Sequence, residues 1–214
     1  MTKYSDLFFR QGKLTRLDFF NDETFDSFET ATNEIIKSFY NDLKTLRFKY
    51  DDLESKISDN YDKRKTYETE EQSDLIDNQL YIESQSEYIN VYLNSLVEMK
   101  LLYLFKSLEL SIKYLIGTAY PDTGVKSLFK WENMKDFFKN REMDITTING
   151  YLECVELKKV NNCIKHNGNI NEEIQSIVEF RDQPYLKHED LEIFYNRIKQ
   201  KVKMFCTTAY SGPY

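Results

Sequence analysis

Proline and glycine are scarce in this 214-residue chain, at three and six. Both interrupt helices, one by blocking a hydrogen bond and the other by its backbone freedom. Few breakers, together with 30 % charged residues in mixed charged and apolar runs, point to an all-α protein. Cysteine is as rare as proline. Cys154, Cys163 and Cys206 are odd in number and far apart. The first two lie nine positions apart on one helix, which does not suit a bridge, so reduced thiols in a cytoplasmic protein are expected. No C-x-x-C pair or His/Cys cluster occurs, so neither a metal site nor a cofactor is expected. Long apolar runs are also missing. The most apolar stretch, Val91 to Ile116, is broken by Glu98, Lys100, Lys106, Glu109 and Lys113, which argues against a membrane span. Met1 to Gln11 lacks the apolar core of a secretory signal.

The chain carries a net charge of −7 with a pI near 5.1, against indiscriminate nucleic-acid binding. The charge is uneven. Residues 1–125 hold 15 basic and 23 acidic side chains, a net of −8, whereas residues 126–214 hold 14 and 13, a net of +1. The second half therefore permits contact with RNA. Aromatic residues are abundant, with 16 Tyr and 15 Phe, and are expected to fill much of the core. The one tryptophan, Trp131, is expected to pack a short helix, 131–139, into that core.

Residues 1–22 contain two Phe-Phe pairs without a clear period and read as a strap docked on the body. A helix is expected from about Asp22 to Asp59. Its Phe39, Leu43, Leu46, Tyr50, Leu53 and Ile57 alternate at four and three, a coiled-coil-like seam for the next helix of the same chain or for a second copy. Asn60 to Lys65 reads as a polar turn. Helical character resumes near Thr66 with Leu75, Ile76, Leu80 and Ile82, and Glu83 to Glu87 interrupts the apolar stripe. A boundary there divides an N-terminal helical extension, 1–87, from a helical bundle domain, 88–214. The Val91–Ile116 helix, apolar on most of its circumference, belongs at the bundle centre. The last helix, from about His188 to Thr207, gathers Leu191, Phe194, Tyr195, Ile198, Val202 and Phe205 on one face. His188 at its start reads as structural.

The chemistry-bearing stretch is Leu157-Lys-Lys-Val-Asn-Asn-Cys-Ile-Lys-His-Asn-Gly168. Leu152, Val155, Val160 and Ile164 form an expected apolar stripe of a helix, directed at the Val91–Ile116 helix. Asn162, Lys165 and His166 fall at i, i+3 and i+4 on a polar face. Asn167-Gly168 forms a left-handed stop. An imidazole beside an ammonium can move a proton near a phosphate and stabilise developing charge. The same histidine can equally cap the last carbonyls of its helix. Glu109 has two readings as well, an intrahelical partner of Lys113 at i+4 or a group facing the motif helix.

This stretch resembles the signature of HEPN domains, four-to-five-helix proteins of prokaryotic toxin–antitoxin and antiviral systems. Their motif is an arginine, a polar residue, three variable residues and a histidine, commonly followed by Asn-Gly. Asn162, His166 and Asn167-Gly168 match it, while Asn161 stands at the arginine position. The order of pieces from Tyr88 to Tyr210 is also similar: a long core helix, a loop at Tyr120 to Gly124, a short helix at Trp131, the motif helix and a closing helix.

The resemblance implies a metal-independent endoribonuclease in which His166 is the general base on a ribose 2′-hydroxyl, leaving a 2′,3′-cyclic phosphate. Asn162 would position the histidine or the phosphate. Lys165, with Lys159 second, would supply the charge that Asn161 lacks, as a point charge without a planar fork. Asn161, Asn167 and Glu109 would complete the binding surface, with Glu109 orienting Lys165 or His166. The family builds its site at a two-fold interface, which implies a homodimer, and RNA and a cognate antitoxin or defence-system protein are the implied partners. The alternative is a catalytically inactive HEPN-like module that binds a partner protein, RNA or a nucleotide.

Overall fold

The computed structural model describes the backbone of residues 3–63, 70–119, 131–140, 144–166 and 168–211, and side chains within 26–59, 72–117, 131–140, 144–166 and 168–208. Six α-helices account for most of it: α1 (Lys3–Lys63), α2 (Glu70–Ala119), α3 (Trp131–Lys139), α4 (Tyr151–Lys165), α5 (Glu172–Gln175) and α6 (His188–Ser211). Single 3-10 turns lie at Ile145–Thr147 and Val178–Phe180. Among the described residues no strand forms beyond one isolated bridge between Asn169 and Tyr185. The fold is all-α. Gly12 and Gly117 are the only glycines within α1 and α2, and neither helix contains proline. Nothing in their covalent chemistry ends them early.

Two helix assignments differ from the sequence expectation. Helix α1 begins at Lys3 rather than near Asp22 and runs on through Lys63, so Asn60 to Lys63 is helical instead of a turn. The side chains of the expected N-terminal strap and the rest of that turn lie outside the described residues. Helix α2 passes through Glu83 to Glu87 without a break. The polar run interrupts the apolar stripe, not the backbone, because Glu, Gln and Ser remain compatible with a helix.

By its contacts the chain divides into two units, Thr30–Leu96 and Met1–Glu29 with Val97–Tyr214. The expected boundary at residue 87 falls within the first of these.

Thr30–Leu96 is an antiparallel helical hairpin. Along α1 the seam residues Phe39, Leu43, Leu46, Tyr50, Leu53 and Ile57 are half-buried, and the residues between them are exposed. They meet α2 of the same chain. Phe39 stacks on Tyr92 with ring centroids 5.8 Å apart, and the Tyr50 hydroxyl donates to Glu83 at 3.0 Å. Pairing 39 with 92 and 50 with 83 makes the helices antiparallel. On α2 the matching positions include Gln79, Ile82, Ser86, Ile89 and Leu93. The heptad-like alternation thus continues across the polar run, with Leu80 left exposed.

In the other unit, α2 contributes Val97, Leu101, Leu104, Phe105, Leu108, Ile112, Leu115 and Ile116 to the core. Helix α6 adds Leu191, Phe194, Tyr195, Ile198, Val202 and Phe205, each of them buried as its periodicity predicts. Residues 26–29 of α1 dock here as well. Phe28 stacks on Tyr103 at 4.5 Å, while Glu29 and Asp26 accept from Lys199 and Lys203 at 2.6 and 2.8 Å. Lys100, 2 % exposed, lies 4.3 Å from the Tyr195 ring centroid and 4.0 Å from Glu192. Burial lowers its ammonium pKa, with Glu192 and Glu29 opposing the shift. Among the described residues no helix is long and apolar enough to cross a membrane.

Candidate functional site

Helix α4 is placed by its two ends. Gly150 precedes it at φ +92°, a left-handed conformation, and a Cβ there would stand 2.1 Å from the Lys201 carbonyl oxygen. Only glycine lets the start of α4 approach α6 this closely. At the other end the His166 N–H donates to the Asn162 and Cys163 carbonyls at 3.1 Å, and the Gly168 N–H reaches Cys163 at 2.9 Å. Gly168 has φ +66°, the expected left-handed stop. The main chain therefore satisfies these two carbonyls without the imidazole.

The buried face of α4 is not the one its aliphatic residues suggest. Leu152 is 71 % exposed, and Val155 and Ile164 are half-buried, leaving Val160 as the one fully buried member of that stripe. Tyr151, Cys154, Leu157, Asn161 and Cys163 turn inward with Val160. The close approach at Gly150 fixes the rotation of the helix, and small or polar residues occupy part of the inward face. None of the three cysteines forms a disulfide, and burial raises the Cys154 and Cys163 thiol pKa values.

Inward rotation puts one polar stripe of α4 on a cavity. Lys158, Asn161, Asn162 and Lys165, at i, i+3, i+4 and i+7, line a space of about 340 Å³. Phe105, Glu109 and Lys113, spaced by four along α2, form a second wall, and Trp131, Glu132 and Met134 of α3 form the third. Of the predicted residues, Glu109, Asn161, Asn162 and Lys165 come together here. Glu109 and Lys113 share the cavity wall, so the intrahelical and motif-facing readings both fit its position. His166 and Lys159 are not among the lining residues; His166 is exposed at the helix terminus one residue beyond Lys165. Asn167 lies outside the described residues, as does the Tyr120–Gly124 loop.

Local contacts organise the cavity. The Lys165 ammonium lies 5.7 Å from the Phe105 ring centroid, and Lys158 pairs with Glu132 at 3.5 Å. Asn161 is 1 % exposed, and its amide donates to the Asn162 side-chain oxygen at a long 3.5 Å. Among the described residues, the Asn161 Oδ1 and the Trp131 Nε1 are both buried with no hydrogen-bond partner. Unpaired buried groups of this kind are unusual in a structural core.

Sequence reasoning missed Lys158, Lys113, Glu132 and Trp131 as site residues. The signal was present for Lys158, which lies four residues before Asn162 and seven before Lys165. It also missed Glu98, a half-buried α2 carboxyl whose pKa is raised by burial and whose charge helps raise the Cys163 thiol pKa. The Cys163 thiol donates to the Asn169 carbonyl at 3.3 Å. Among the described residues no group of His, Cys, Asp and Glu is arranged to hold a metal ion. In comparisons with protein-family models, curated proteins and solved structures, the chain matches none of them.

Proposed function

We propose that this chain is a HEPN-like protein that engages RNA at the C-terminal end of α4. His166 acts there as the general base on a ribose 2′-hydroxyl, with Asn162 and Lys165 on the adjacent phosphate. The observation that carries the reading is the arrangement at this helix end. An exposed imidazole follows a lysine and an asparagine that line one cavity, and nearby main-chain N–H groups already take the carbonyls it could have capped. The imidazole takes the proton of the attacking 2′-hydroxyl, and the 2′-oxygen bonds to phosphorus as the bond to the 5′-oxygen breaks. That oxygen leaves with a proton from water, and Lys165 compensates the charge on the phosphorane-like transition state. The reading includes a two-fold assembly, for which the exposed Leu110 and Tyr114 on α2 offer apolar surface. It also includes a cytoplasmic setting and a cognate antitoxin or defence-system partner.

One feature favours a second reading, a catalytically inactive module that binds RNA, a nucleotide or a partner protein. Asn161, at the position of the motif's arginine, is uncharged and buried, so it supplies neither a cation nor a planar fork to a phosphate. The two readings separate in a cleavage assay on single-stranded RNA in EDTA. The nuclease reading expects cleavage by wild type that His166→Ala lowers by ~10²–10⁴-fold. An inert wild type that gains His166-dependent cleavage on Asn161→Arg marks the inactive module. Inert RNA with every variant removes the catalytic reading.

A further inference from the structure

The cavity presents more chemistry than a phosphate site needs. A phosphate is held by cations and N–H donors, and Lys158 and Lys165 provide such groups. The Asn161 oxygen is an acceptor and would repel phosphate oxygens. The Trp131 indole N–H is a single donor beside a large π face. Among the described residues both atoms are buried and unpartnered, and both belong to residues that line the same cavity. Together they call for a ligand that offers both a donor and an acceptor.

We propose that this cavity is a base pocket, receiving one nucleobase of the RNA whose phosphate rests on Asn162 and Lys165. Every nucleobase carries donors and acceptors along its Watson–Crick edge, and its faces favour aromatic neighbours; the sugar–phosphate backbone offers neither. Asn161 reads the base edge through its amide, and Trp131 donates from Nε1 to a base nitrogen or carbonyl. Phe105, Trp131 and Met134 supply the apolar wall. A volume of about 340 Å³ falls within the usual range for small-ligand pockets. The lining holds Lys113, Lys158 and Lys165 against Glu109 and Glu132, a net charge of +1 that complements one phosphodiester. The inference rests on the RNA reading but does not require cleavage. It makes Asn161 and Trp131 determinants of base preference.

Trp131 is the only tryptophan, so its fluorescence reports directly on the cavity. The full chain is titrated with the four nucleoside 5′-monophosphates and, separately, with ribose 5-phosphate. At least one nucleotide is expected to bind saturably with a Kd below about 1 mM. It should bind about tenfold more tightly than ribose 5-phosphate, the size of effect one hydrogen-bonded edge supplies. Asn161→Leu, with its helical circular dichroism intact, is expected to reduce that nucleotide to the ribose 5-phosphate level. Trp131→Phe, followed by calorimetry, is expected to lose affinity similarly. Equal binding of all five compounds, no binding of any, or an unchanged affinity in folded Asn161→Leu overturns the base pocket. If Asn161→Leu does not fold, the wild-type comparison decides alone. Failure to cut RNA leaves a base-selective pocket standing, whereas cleavage without any base-selective binding removes the pocket and keeps the nuclease.

Discussion

Replacing Asn161 by leucine should make this protein more stable, although the residue lies in its core. Asn161 is 1 % exposed, its Oδ1 has no partner among the described residues, and its amide contact to Asn162 is a long 3.5 Å. An unsatisfied buried polar atom costs about 1–3 kcal/mol, and a contact of that length returns little of it. Leucine removes the unpaired atom and has the better helix propensity, by a few tenths of a kcal/mol. Its different branching uses some of this gain in repacking. A net stabilisation of about 1–2 kcal/mol follows, which in a domain of this size raises Tm by about 2–4 °C per kcal/mol. Urea unfolding followed by circular dichroism measures the change as a higher midpoint at unchanged slope. A loss of about 1 kcal/mol or more would show that the amide is satisfied in the fold, and the polar character of the cavity would need another explanation.

Gly150→Ala should cost about 2–5 kcal/mol, from left-handed strain and a Cβ 2.1 Å from the Lys201 carbonyl oxygen. Gly168→Ala, with φ +66° but open space around it, should cost only the strain, about 1–2 kcal/mol; near-equal losses in thermal melts would contradict the close approach of α4 to α6. Glu98 has a raised pKa, so its contribution to stability is fully present below its unfolded pKa and is lost as pH rises through its folded pKa. Glu98→Gln should therefore be more stable than wild type at neutral pH, the difference vanishing near about pH 4; a pH-independent difference would refute the assignment. Arg197 bridges Glu156 at 2.8 Å and Glu179 at 2.5 Å, and the Glu179 side chain is only 5 % exposed. Arg197→Ala should destabilise by about 2–4 kcal/mol in denaturant titrations, and adding Glu179→Gln should recover part of that loss; no recovery would mean the arginine acts through packing.

The elements legible in the sequence were those whose burial follows hydrophobicity. Every residue named on the α6 face from Leu191 to Phe205 is buried, and every residue of the Phe39–Ile57 seam is half-buried between exposed neighbours, so in both their periodicity maps directly onto burial. Helix α4 resisted the same reasoning because it is enclosed on much of its circumference, and Asn161 and Cys163 share the inward side with Leu157 and Val160. An aliphatic stripe drawn through Leu152 therefore picked an exposed residue. The continuous course of α2 is hidden for a related reason, since the polar residues at 83–87 interrupt the apolar stripe without ending the helix. At the site, the grouping of Asn162 and Lys165 followed from helical spacing alone. Glu109, Lys113 and Trp131 reach the same cavity from other helices, and no local period encodes that meeting. Extending the α4 stripe back to Lys158 was the one further step the sequence allowed.

The chemistry proposed for the end of α4 leaves a signature on its product. Single-stranded RNA incubated with the protein in EDTA, with the new ends resolved by mass spectrometry, is predicted to carry 2′,3′-cyclic phosphates, because the attacking nucleophile is the ribose 2′-hydroxyl deprotonated by His166. The same ends should be absent with His166→Ala and depleted with Lys165→Ala. Linear 3′-hydroxyl ends, cleavage that persists in His166→Ala, or intact RNA with both wild type and Asn161→Arg would contradict a His166-based nuclease.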